Sequence, residues 1–69
     1  MATVKQAISE VDVVQLRDTV GKWPAGTTGT VVSERGEDKL VEISDRHGVT
    51  LDLISVAEPQ LELVAKHSR

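Results

Sequence analysis

Eleven acidic residues and two His are the groups in this chain that could perform acid–base or metal chemistry, and their spacing argues against both. Asp45, His47 and Asp52 are the most suggestive set. Asp45, however, opens the stretch Asp-Arg-His-Gly, where Asp is favoured because its carboxylate accepts hydrogen bonds from its own turn backbone. Alternation in the next segment predicts a solvent-facing strand position for Asp52. A metal site needs three or four convergent ligands, and His47 and His67 have no ligand spacing. No metal and no cofactor is expected. The absence of Cys removes thiolate nucleophiles, Cys-based zinc sites and disulfides together. Ser9, Ser33, Ser44, Ser55 and Ser68 lie at strand edges or in tails, with no base placed beside them.

The densest motif is Gly-Lys-Trp-Pro-Ala-Gly-Thr-Thr-Gly, Gly21 to Gly29. Its glycines are reminiscent of a phosphate loop, but it lacks the Gly-Lys-Ser/Thr ending that opens a helix, and no helical period follows. No catalytic residue is assigned, and the chain reads as non-enzymatic. What the motif does hold is Trp23, the single aromatic residue, between Lys22 and Pro24. A loop Trp buries a large area with little loss of rotamer entropy, which is why Trp anchors binding interfaces. The same ring could fold back as a lid over a core that has no Phe or Tyr. Both roles hold together if one ring edge stays exposed.

Charge points to the kind of partner. The net formal charge is −3, and the eight Lys and Arg are spread along the chain, whereas binding driven by phosphate neutralisation needs a basic patch. Nucleic acid therefore ranks below protein as a partner. Glu34, Glu37, Asp38, Glu42, Asp45 and Asp52 gather around the expected hairpins and could face a basic partner surface. A solvated face that guards strand edges accounts for the same residues. No apolar run reaches the roughly 18 residues that span a bilayer, and the N-terminal residues lack the apolar stretch of a secretory signal, so no membrane partner is expected and the cytoplasm is the expected location.

The elements that must carry these residues are short strands. Residues 1–10 read as a loose tail, 11–65 as one domain and 66–69 as a second tail. Val-Asp-Val-Val-Gln-Leu-Arg is strand one, followed by a long first loop; Thr-Gly-Thr-Val-Val-Ser-Glu is strand two, with Gly29 marking a bulge or a close backbone approach. Gly36 supplies a tight turn into Lys-Leu-Val-Glu-Ile-Ser, and Gly48 closes a second turn before Val-Thr-Leu-Asp-Leu-Ile-Ser-Val. Pro59 interrupts the pattern as one helical turn before Leu-Glu-Leu-Val-Ala. Five strands, a long first loop, two tight hairpins and a turn before the last strand describe an all-β, five-stranded antiparallel SH3-like barrel. Its expected core is Val14, Leu16, Val31, Val41, Ile43, Leu51, Leu53, Leu61 and Leu63.

The run from Val11 to Val64 resembles the short bacterial proteins of domain-of-unknown-function family 4926. Asp12 to Leu16, Gly26 to Val32, Val41 to Ile43, Asp45 to Gly48, Leu51 to Ile54 and Leu61 to Val64 carry the resemblance. Ile43 departs from it, standing where an aromatic is frequent. The resemblance implies an SH3-like fold, and by analogy with short acidic proteins of two-gene modules an antitoxin- or immunity-like role. The leading expectation is a protein-binding module that neutralises a partner encoded nearby, with contacts from Lys22, Trp23, Pro24, Glu34, Glu37 and Asp38. The alternative is a KOW-like RNA or ribosome-associated module using Arg17, Lys22 and Trp23. A homo-oligomer paired through a barrel edge is the third reading.

Overall fold

The computed structural model describes residues 8–66. Five strands form, β1 (Val13–Leu16), β2 (Thr28–Arg35), β3 (Asp38–Ser44), β4 (Thr50–Ala57) and β5 (Leu61–Ala65), with a 3-10 turn at Glu58–Gln60 before the last. All neighbouring strands are antiparallel, in the order β4-β3-β2-β1-β5. The chain is therefore all-β, with the strand order and the final turn of the SH3-like class. The sheet is open, because β4 and β5 are its two edges and do not pair. Register shifts at Val31/Ser33, Val13/Val14 and Ile43/Ser44 let it bend. Curling then brings residues of all five strands into one aliphatic core: Val14, Leu16, Val31, Val41, Ile43, Val56 and Leu61, joined by Ile8.

Turn chemistry follows the sequence. Gly36 and Gly48 take φ of 62° and 83°, conformations that disfavour a Cβ. Gly29 serves a close approach: a Cβ there would lie 2.6 Å from Val41 Cγ1 and 2.7 Å from the Glu42 carbonyl oxygen. Asp45 Oδ1 accepts from the backbone of His47 and of Val49, as its place in a turn predicts.

The inward face of β4 differs from the expectation. Leu51 and Leu53 are about half exposed, at 50% and 53%, while Val56 is buried and Ile54 packs against the core. Two apolar sets of opposite parity compete in Val-Thr-Leu-Asp-Leu-Ile-Ser-Val. The register shift opposite Ser44 leaves Leu51 as the extra residue, after which Asp52 pairs with Ile43, Ile54 with Val41 and Val56 with Lys39. Asp52 thus faces inward, half-buried, and not to solvent as alternation predicted. Leu63 is only partly buried, against the core.

Of the tail expected at residues 1–10, residues 1–7 lie outside the described residues. Ile8, placed in the tail by the sequence reading, is buried in the core. Next to it, Asp12 Oδ2 accepts from the Ser9 backbone at 2.9 Å and from Lys66 Nζ at 2.8 Å. The expected C-terminal tail is likewise anchored at Lys66, while 67–69 lie outside the described residues.

Candidate functional site

The first loop is built as a hairpin within a hairpin. Its base is closed where Leu16 exchanges hydrogen bonds with the Gly26–Thr27 segment, Leu16 N to Thr27 O and Gly26 N to Leu16 O. At its tip Val20 and Trp23 exchange backbone hydrogen bonds of 2.8 and 2.9 Å across Gly21 and Lys22. Gly21, with φ 57°, makes this two-residue turn feasible. Thr27 then ties the return limb to the Pro24 carbonyl through both its backbone N and its Oγ1.

That backbone fixes the direction of Trp23. One side of the ring packs against the core, and Nε1 donates to Asp52 Oδ2 at 2.8 Å. The second oxygen of Asp52 accepts from the Leu53 backbone N at 2.9 Å. Lys22 Nζ stands 5.3 Å from the ring centroid, within cation–π range. The indole hydrogen bond is the main reason the Asp52 carboxyl lies below the ordinary carboxylate range. Partial burial opposes that shift, and the Leu53 N–H and the Lys22 charge add to it. The ring is thus half-buried, packed against the core and tied to Asp52, with its two chain neighbours Lys22 and Pro24 exposed.

The six expected contact residues form two groups. Lys22, Trp23 and Pro24 sit where β4 begins its inner run, at Asp52. Glu34, Glu37 and Asp38 sit at the other end, since Asp38 pairs with Ala57 and Ile43 with Asp52. Five residues of strand separate the two positions, about 17 Å at 3.3 to 3.4 Å per residue. Glu34 and Asp38 are exposed strand residues at that hairpin, and Glu34 Oε2 accepts from the Glu10 backbone N. The rest of the acidic set is dispersed. Glu42 accepts from Thr50 Oγ1, and Asp45 is engaged in its turn.

Three polar residues that carry much of the architecture had no signal in the sequence. Asp12 and Lys39 are buried, at 1% and 2% exposure. Lys39 Nζ reaches Glu58 Oε1 at 3.2 Å and the Gly36 carbonyl at 2.9 Å, while Glu58 Oε2 accepts from the Ile8 backbone N. Glu58 therefore couples the 3-10 turn to the β2–β3 hairpin and to the N-terminal segment. These are contacts of architecture. Among the described residues no group of three His, Asp or Glu side chains could hold a metal ion, and no helix is long and apolar enough to cross a membrane. Comparison of the chain with protein-family models, with curated proteins and with solved structures gives no match.

Proposed function

We propose that the chain is a non-enzymatic protein-binding module of the cytoplasm whose contact surface is the tip of the first loop, Lys22, Trp23 and Pro24. The observation that carries this reading is the Trp23–Asp52 hydrogen bond, which holds the one aromatic ring in a single orientation beside two exposed loop residues. A preorganised aromatic anchor loses little entropy on binding. The carboxylate at the ring's edge disfavours a phosphate backbone there, and Arg17, the other cation of the RNA reading, directs Nε to the Leu61 carbonyl. Protein is therefore the favoured partner over RNA. Within that reading, the short acidic chain fits a neutraliser that covers a partner's surface, in the manner of an antitoxin or an immunity protein.

The loop and the acidic hairpin, being at opposite ends of β4, test separately. A tagged chain purified from its native host should carry a partner protein. Lys22→Glu combined with Pro24→Ser should release that partner, while Glu37→Lys should retain it. Recovery of the chain alone, or a partner indifferent to the loop variant, counts against the reading.

A further inference from the structure

Among the described residues, no strand pairs with the outer edge of β4. Glu58 N donates to the Glu37 carbonyl at 2.7 Å, one step past the Asp38–Ala57 pair, and peptide direction alternates along an antiparallel strand. Val56, Ile54 and Asp52 therefore point their peptide groups at β3, and Ala57, Ser55 and Leu53 point theirs outward. The strand carries no Lys, Arg or Pro, and its edge-guarding features, the Leu51 bulge and the inward Asp52, are confined to its first three residues, leaving Leu53 to Ala57 without one. Its outward side chains include half-exposed Leu53. Next to Ser55 lies an open cavity of about 310 Å3, lined also by Leu40, Arg35 and Asp38.

We infer that β4 pairs antiparallel with β4 of a second copy of this chain, about a two-fold axis at Ile54. A two-fold contact requires a patch that complements itself. This one does so in two respects. The axis sets Leu53 of each copy opposite Ser55 of the other, so each Leu53 side chain lies at the mouth of the partner copy's cavity. It also sets the Asp45–Gly48 turn of each copy, with exposed Arg46 and His47, beside the far end of the other copy's β4, where Glu37 and Asp38 are exposed. Opposite charges thus meet at both ends of the seam. In the single chain Asp52 Oδ1 accepts from the Leu53 N–H, and pairing must displace it, which makes the association weak and concentration-dependent.

Sedimentation velocity on the full chain, from about 10 μM to about 1 mM, reads this directly. A monomer–dimer equilibrium is expected, weakened by salt. Leu53→Lys, at an exposed position, should raise the dimer Kd at least about tenfold, with an unchanged thermal melt reporting an intact fold. Arg46→Glu and Glu37→Arg should each weaken the dimer, and the two together should restore it. A chain that stays monomeric throughout, a dimer insensitive to Leu53→Lys, or charge variants that fail to compensate would each overturn the pairing.

Discussion

The indole nitrogen of Trp23 and the carboxylate of Asp52 meet at 2.8 Å across 29 positions of sequence, joining the first loop to the inner face of β4. Because that bond favours the ionised carboxylate, the folded-state pKa of Asp52 is depressed. Its stabilising contribution is present above the unfolded-state pKa, near pH 4, and is lost as pH falls through the folded value. In Trp23→Phe, which keeps a ring but no donor, Asp52 should titrate at higher pH, and the acid-induced loss of stability should be smaller than in the wild type. A carboxyl titration by NMR that does not move between the two proteins would refute the coupling.

Lys39 and Glu58 form an ion pair whose partners differ in burial, with side-chain exposures of 3% and 26%. Removing Glu58 takes the carboxylate from a buried ammonium that keeps the Gly36 carbonyl, whereas removing Lys39 leaves a carboxylate that water can reach. Glu58→Ala should therefore destabilise by about 3 kcal/mol or more, the usual cost of breaking a buried pair, and Lys39→Met by clearly less. Urea midpoints decide the order. Equal losses would show that burial does not control the pair.

Gly29 lies against β3 with no room for a methyl group, since two of the three contacts a Cβ would make are shorter than 3.0 Å and one of those is backbone. Gly29→Ala should cost about 1 to 3 kcal/mol, as overpacking does, and should shift the strand β2–β3 amide resonances. An Ala variant of wild-type stability would mean that the strands can separate freely.

Val11 is the one non-Gly residue with positive φ among the described residues, at 74°, and it is half exposed. A β-branched side chain is strained in this conformation, whereas Asn tolerates it. Val11→Asn should stabilise by about 1 kcal/mol, raising Tm by roughly 4 to 8 °C for a domain of this size. A lower Tm would show that the Val11 side chain contributes more by contact than its backbone loses by strain.

Strand number and turn positions were legible from the sequence because alternation and Gly or Pro punctuation are local signals. The face of β4 was not. Leu51 and Leu53 compete with Ile54 and Val56 for the inward side, and one extra residue in the ladder reverses the phase. Asp52 turns inward, where an indole N–H 29 positions away donates to its carboxylate. Asp12 and Lys39 are buried for the same kind of reason, with Lys66 and Glu58 as partners brought by folding from far along the chain. Trp23 was legible as the residue of interest, but its orientation depended on Asp52, which no local pattern identifies.

The Asp12–Lys66 ion pair places the beginning and the end of the described chain side by side. The two ends meet because β1 and β5 are neighbours within the open sheet, so the chain order is not dictated by the pairing. A short linker joining the two ends, with a new break at the Gly36 turn, would preserve all four strand ladders. By the same geometry, the unit could be inserted into a surface loop of another protein, entering and leaving at one point while the Trp23 loop remains free.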